Sequence, residues 1–401
     1  MQKVLSFNNV IQIAGNVLFF LLLLVMMLDP GNAVLRMKDI LFILFFGFNV
    51  VFYKPEWKNL IFILPIYLVI FITILFSVIQ QNHIDYTFFV AALKGFAPLT
   101  LLLWIKHYDV LKLSSVPVLI TCVVILILYS LVYSFPEFEY GLSLYSNDHN
   151  EMVMITRRDW LGFKILGMYY RSVVSFMPVF FYLVYQVIYV KQKLKWRYVF
   201  GFLLVFAVFL ISGTRAMLLT PFAIMGVAFC FRYLKEGKVR YLLYPLFVFL
   251  ACGFLFLVYM LATQEGDRSN DIKYAHLVSY AKLFNQNLEY LFIGQGPGTM
   301  FYTEGFGRMT AETEWTYLEV VRCYGLFAVV ILAVYLYPLY CCLRKRKDSF
   351  MLGLAAVYFI FLMVGGTNPF LLNSQGMTMV WIMYSYISRN NALRYPELNF
   401  K

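Results

Sequence analysis

The stretch "VFAVFLISGTRAMLLTPFAI", residues 205–224, is apolar almost throughout, yet Arg215 stands in its middle. A guanidinium keeps its proton at any ordinary pH, and at mid-bilayer it costs at least about 2.5–3.5 kcal/mol. Charge is absent from Tyr198 to Thr214 on one side and from Ala216 to Phe231 on the other. Joined as one helix, the run would be about 50 Å long at about 1.5 Å per residue, against a hydrocarbon core of about 30 Å. Two short spans with a tight turn at Ser212-Gly213-Thr214 fit better. They put Arg215 at the tip of a hairpin, at the membrane edge.

The rest of the chain agrees with a membrane setting. Of its 401 residues 62% are hydrophobic and only 13% charged, whereas a soluble domain is nearer half apolar and a quarter charged. Long uncharged runs recur from end to end, and no polar block reaches the size of a soluble domain. The expected fold is therefore all-α, a single polytopic membrane domain over residues 1–401. The basic start "MQKVLSFNN" leads into an apolar run with no small-residue cleavage site after "LLLLVMML", so that run is read as a retained first span. Cys122, Cys230, Cys252, Cys323, Cys341 and Cys342 fall within or beside spans, lack zinc-like spacing, and are assigned no disulfide. His83, His107, His149 and His276 are scattered without metal-ligand spacing.

Hydropathy marks out about twelve spans, at about 10–28, 39–53, 59–79, 87–105, 115–134, 171–189, 198–213, 216–231, 241–262, 317–341, 350–366 and 370–388. With the N-terminus inside, most Lys and Arg fall in inner segments, as the positive-inside rule requires. The short outer turns 29–38, 80–86 and 367–372 hold only Arg36 and Lys38. Both termini are then cytoplasmic and Arg215 faces outward. The net charge of +12 becomes a topology signal, and no nucleic-acid partner is expected. Two outer segments are long, about 135–170 and 263–316. Loops beyond about 15 residues are usually functional or disordered, and these are too rich in aromatics and Gly turns to look disordered. The run "FIGQGPGTMF" carries Gly294, Gly296 and Gly298, but no strand–helix context supports a nucleotide fingerprint there.

Orientation signals alone would leave the outer face poor in arginine, yet Arg157, Arg158, Arg171, Arg215, Arg268 and Arg308 all lie outward. Arg171, Arg215 and Arg268 stand at three separate outer helix ends. They can converge on a phosphate or pyrophosphate, gripped in bidentate fashion, or each can snorkel to lipid headgroups. In "TAETEWTYLEVVRCYGLFAVV", Glu314 precedes a span. It reads either as a base near that cluster or as an acid that favours a helix N-terminus. Glu319 and Arg322, spaced i and i+3, can neutralise one another on a helix face. Lys94 in "AALKGFAPL" is a lone charge within the fourth span. Such charges often mark a pathway, and a structural lysine bound to a helix-end carbonyl is the alternative. Trp160, Tyr169, Tyr170, Tyr302 and Trp315 can stack on sugar faces or belong to an interfacial aromatic belt.

Six segments, in order, carry a family likeness. "LISGTRAMLL" resembles the arginine hairpin of the O-antigen ligase and polymerase superfamily. With it come "YYRSVVSFMP", "GDRSND", "FIGQGPGTMF", "ETEWTYLEVVRCYGLFA" and the late "GGTNPFLLNSQG". The likeness runs from about residue 160 to 385. Each motif is short, but their shared order is fairly specific. The resemblance implies a GT-C-like integral membrane glycosyltransferase of the bacterial inner membrane, working on the periplasmic face. Its donor would be a glycan on polyprenyl pyrophosphate, and it would need no metal and no other cofactor. Arg171, Arg215 and Arg268 would hold the pyrophosphate, and Glu314 would be the catalytic base. Lys94, Trp160, Tyr170, Trp315 and Arg322 would give sugar or support contacts. Ligases of the superfamily carry a His where Glu314 stands, which favours a polymerase of the Wzy type. Its acceptor is a second lipid-linked repeat, and a chain-length regulator is an expected partner. The alternatives are a ligase acting on lipid A–core and, from another class, a lipid-linked oligosaccharide flippase.

Overall fold

The computed structural model describes residues 7–32, 34–148, 153–160, 163–189, 196–234, 268–344, 348–366 and 371–394. Those residues are mostly helical. Seven helical stretches are long and apolar enough to cross a membrane: Phe7–Leu28, Trp57–Ile79, Tyr86–Leu103, Val110–Ser134, Arg171–Ile188, Thr316–Arg344 and Ser349–Gly366. The expected span at 241–262 lies outside the described residues. The expected hairpin is present as two shorter apolar helices, Trp196–Ile211 and Arg215–Phe231. They are joined at Ser212-Gly213-Thr214, where Gly213 takes φ +66°, a left-handed conformation that glycine adopts without steric cost.

Two expected spans differ in form. The fourth begins as a helix at Tyr86, where Asp85 caps the N–H groups of Thr87 (2.8 Å) and Phe88 (3.2 Å). It leaves α-geometry after Phe96 and continues as 3-10 turns over Ala97–Leu103 and Ile105–His107. Pro98 lies at that break and has no N–H to offer a helix. Donors from elsewhere meet backbone acceptors in and beside these turns. Trp381 Nε1 donates to the Pro98 carbonyl at 2.9 Å, Asn59 Nδ2 to that of Leu102 at 2.6 Å, and Ser385 Oγ to that of Tyr108. Irregular backbone at membrane depth survives only where protein satisfies it in this way.

Trp381 and Ser385 belong to the last helix, Ser374–Arg394. It is opened by Asn373, whose Oδ1 accepts from Gln375 N and Gly376 N, both at 3.1 Å. This helix is modest in hydropathy, yet Met377, Met379, Val380, Trp381 and Ile382 are buried. It runs within the protein core, where its Trp381 packs on Phe19, which in turn stacks with Phe45 and meets Tyr108 edge-on. Polar residues along it bond to protein, which relaxes the need for a uniformly apolar surface.

The two long segments between spans are built rather than loose, and they add short antiparallel hairpins to a chain that is otherwise helical, in keeping with an all-α membrane protein. The first holds a helix, Pro136–Asp148, and an antiparallel hairpin. Strand β1 is Val153–Trp160 and strand β2 is Phe163–Tyr170, in register from Val153↔Tyr170 to Trp160↔Phe163. The second holds a helix, Arg268–Gln286, and a small hairpin of β3, Phe301–Thr303, with β4, Arg308–Thr310. Gly294, Gly296 and Gly298 all have positive φ. Side-chain carbons there would strike the backbone at Cys323, the Ser77 side chain and the backbone at Phe89. The glycine run is thus a close-packed seam that fastens this loop to the helices beneath it.

Candidate functional site

The backbone corner at Leu28–Pro30, just past the first helix, gathers several sequence-predicted residues. The Tyr170 hydroxyl donates to the Leu28 carbonyl. Gln375 Nε2 and Lys38 Nζ share the Pro30 carbonyl, at 3.0 and 2.9 Å. Beside them Asp29 Oδ2 accepts the N–H groups of Val34, Leu35 and Arg36 at 3.0, 2.7 and 3.3 Å. Lys94 pairs with Asp39 at 2.8 Å, near the start of the helix Lys38–Phe52. The lone charge expected at Lys94 is therefore an exposed ion pair. Arg171 follows Tyr170 directly and opens a 3-10 turn, Arg171–Phe176. Burial pushes the Lys38 ammonium below the ordinary lysine value; the carboxylates of Asp39 and Asp29 oppose this, and the charges of Lys94 and Arg171 add to it. Lys38, Lys94 and Arg171 thus share one electrostatic neighbourhood, drawn from three elements far apart in sequence.

Strand β2, which leads to Tyr170 and Arg171, also touches the turn that precedes Arg215. A carbon added at Gly167 would lie 2.7 Å from the Gly213 Cα and 2.8 Å from Thr156 Oγ1. The β1–β2 hairpin therefore rests backbone to backbone on the turn that presents Arg215, and the same strand then delivers Tyr170 and Arg171. Both arginines are half-buried. Trp160 closes β1 opposite Phe163, but its side chain lies outside the described residues. Arg268 begins its helix, and its side chain also lies outside them.

Glu314 belongs to a second group, on the late loop that carries strands β3 and β4. It is half-buried and pairs with Lys273 at 3.3 Å; among the described residues this lysine, not an arginine, is its ion-pair partner. The next residue, Trp315, donates its indole N–H to the Lys273 carbonyl at 3.0 Å, so it supports the loop. Arg322 is wholly buried and binds Glu319, Gln295, Thr299 and Ala311. The pairing with Glu319 agrees with the i, i+3 spacing, and Arg322 acts as a support. Tyr280 extends this network, its hydroxyl at 2.6 Å from both Glu319 Oε1 and Thr313 Oγ1. Among the described residues, no group of three or more His, Cys, Asp or Glu side chains could hold a metal ion.

Sequence reasoning passed over His276 and Lys38. His276 is fully buried and bonded through Nδ1 to Thr303, and its Nε2 has no hydrogen-bond partner among the described residues. Glycine at 305 lets the loop close on the imidazole. Burial lowers its pKa below the ordinary value; Glu314 and Glu319 oppose this and Lys273 adds to it. Folding then favours the neutral ring, and the unfolded chain binds the extra proton. Stability from this site is fully present above about pH 6.5 and is lost as pH falls below that toward the lowered value. Protection factors for hydrogen exchange over residues 271–310, with the intrinsic pH dependence of exchange divided out, should therefore fall on acidification from about pH 7, and His276→Gln should flatten that dependence. An unchanged pH profile in the variant would remove His276 as the cause.

The chain was compared with protein-family models, curated proteins and solved structures, and none of them matches it.

Proposed function

We propose that the chain is a glycosyltransferase of the outer membrane face that polymerises lipid-linked oligosaccharide repeats. On this reading it sits in a bacterial inner membrane with both termini cytoplasmic and has a GT-C-like helix arrangement. A glycan leaves polyprenyl pyrophosphate and joins a sugar hydroxyl of a second lipid-linked unit. The observation that carries the reading is the shared bracing of two arginines. Strand β2 both rests on the Arg215 turn at Gly167 and hands the chain to Arg171, and Lys94 joins the neighbourhood. The ordered motifs between about residues 160 and 385 give it a family context.

The chemistry follows from the leaving group. As the bond from the anomeric carbon to the phosphate oxygen breaks, negative charge grows on the pyrophosphate. Fixed guanidiniums stabilise that charge without reorganising. The acceptor hydroxyl loses its proton as its oxygen bonds to the anomeric carbon, and Glu314 is the proposed general base. Lipid tails and sugars are bound without a nucleotide, and a chain-length regulator would act on the growing product.

The deciding assay incubates the purified chain in vesicles with a labelled lipid-linked repeat. Growth of a ladder of longer glycans supports the polymerase. Transfer only to lipid A–core would make it a ligase, and movement across the bilayer without bond formation would make it a flippase. Orientation has its own test, in a chain whose native cysteines are replaced by serine. Tyr274→Cys, at a side chain 70% exposed, should react in intact cells with an impermeant thiol reagent, and Lys112→Cys should not. Labelling of the second site alone would invert the topology.

A further inference from the structure

Three lysines among the described residues are half-buried: Lys38, Lys106 and Lys273. Lys106 meets Glu56 at 3.1 Å and Lys273 meets Glu314 at 3.3 Å. Lys38 differs. Among the described residues its ammonium touches only neutral acceptors, the Pro30 carbonyl at 2.9 Å and, at the limit of a hydrogen bond, Ser374 Oγ at 3.5 Å. An ammonium carries three donors, so at least one is left over. The carboxylates nearby are already engaged, Asp39 by Lys94 at 2.8 Å and Asp29 by three backbone N–H groups. A partly buried cation without a direct ion pair costs free energy; the nearby charges of Asp39 and Asp29 offset part of that cost, and those of Lys94 and Arg171 add to it.

The position is also fixed. Gln375 Nε2 holds the same Pro30 carbonyl at 3.0 Å, Ser175 Oγ holds the Gln375 carbonyl at 3.1 Å, and Tyr170 holds Leu28. Lys38 is therefore anchored to the strand-to-helix junction that presents Arg171. Orientation does not ask for a lysine at this place, since outer turns are otherwise poor in basic residues. A snorkelling lysine would extend to headgroups with its donors in water, whereas this one turns back onto protein.

We propose that Lys38 is a further ligand of the diphosphate in the lipid-linked donor, placing its spare donor on an oxygen of the anion that Arg171 holds. This rests on the donor proposed above. A diphosphate spreads its charge over two linked phosphoryl groups, so one anion can satisfy an arginine and a lysine that come from different elements. Lys38 would bind as a point charge beside the planar fork of Arg171. The charged groups facing it are Asp29, Asp39, Lys94 and Arg171, and the last helix contributes the neutral Ser374 and Gln375.

The test measures binding of undecaprenyl diphosphate without glycan to the purified full chain in nanodiscs, with undecaprenyl monophosphate alongside. The parent should bind the diphosphate more tightly. Lys38→Met should weaken diphosphate binding about tenfold or more, the scale of one charged hydrogen bond, and should shrink the preference over the monophosphate. A second variant keeps the test independent of folding. Lysine loses its charge as pH rises through its lowered pKa, and arginine does not. Parent affinity should therefore fall, relative to Lys38→Arg, as pH rises from about 7 toward the ordinary lysine value of about 10.4. If the parent binds, Arg171→Ala loses binding, and Lys38→Met binds as the parent does, Lys38 is not a ligand and the donor reading stands. Parallel pH profiles for the parent and Lys38→Arg would overturn the proposal equally. No diphosphate binding by the parent would instead overturn the donor reading itself.

Discussion

Arg322→Ala is expected to remove most of the folded protein. The side chain is fully buried, and its donors are spent on four residues. Nε donates to Glu319 Oε2 at 2.8 Å and Nη1 to Gln295 Oε1 at 2.7 Å. Nη1 also reaches the Thr299 carbonyl and hydroxyl, both at 3.0 Å, while Nη2 reaches the Ala311 carbonyl at 2.8 Å. The guanidinium stacks over Phe301 at 4.5 Å. Removing it strands the Glu319 carboxylate in a buried site. Breaking a buried pair from one side costs about 3–5 kcal/mol, a large share of the roughly 5–15 kcal/mol that holds a typical domain together. Melting in detergent, followed by size exclusion, reads the effect. Arg322→Lys should not rescue it, because one ammonium cannot serve acceptors on both sides of the fork. Glu319→Gln with Arg322→Met should melt above Arg322→Met alone, since the uncompensated charge is gone. A melting temperature for Arg322→Ala within a degree or so of the parent would show that the network is redundant.

That network marks where sequence reading stops. The step from Glu319 to Arg322 is local, so the helix period alone pairs them. Gln295, Thr299 and Ala311 come from loop positions whose approach depends on how the glycine seam closes, and no period encodes it. The hairpin at Ser212-Gly213-Thr214 was legible for a physical reason: helix rise, bilayer thickness and one unremovable charge leave few alternatives. Strands β1 and β2 were not legible in this way. "VMITRRDW" mixes charged and apolar residues without a clean alternation, and only its pairing with "FKILGMYY" makes it a strand. Lys94 read as solitary because Asp39 lies 55 positions away, beyond any local rule. The last helix reads as weakly apolar, while tertiary contacts bury it. Of the candidate site, the arginine positions were visible as departures from the positive-inside pattern. Lys38 was passed over, because the acceptors that hold it, at Pro30 and Ser374, are brought together by tertiary packing that no local pattern encodes.

Glu314 and Arg215 should fail in different ways if the proposed chemistry holds. Glu314→Gln keeps the shape of the side chain and removes the proton acceptor. Loss of a general base typically costs about 10²–10⁴ in rate, so kcat for polymer growth should fall by about that factor with little change in KM. The competing role is structural, an acid at a helix start paired with Lys273 at 3.3 Å. A partly exposed pair of this kind contributes about 0–1 kcal/mol. Lys273→Ala breaks the same pair and leaves the carboxylate in place, so the two roles separate. A base predicts near-parent activity for Lys273→Ala and a large loss for Glu314→Gln, whereas a structural pair predicts similar small effects for both. Arg215→Ala should raise KM and lower kcat together, because the pyrophosphate is held in the ground state and gains charge in the transition state. Arg215→Lys should recover only part of the loss, since it supplies charge without the bidentate fork. The measurement is polymer synthesis by purified variants at matched folded amounts, with the lipid-linked substrate varied. Parent-rate polymerisation by Glu314→Gln would return that carboxylate to its structural role and move the search for the base to Glu312. An Arg215→Ala variant with unaltered KM and kcat would break the proposed link between the hairpin tip and the donor.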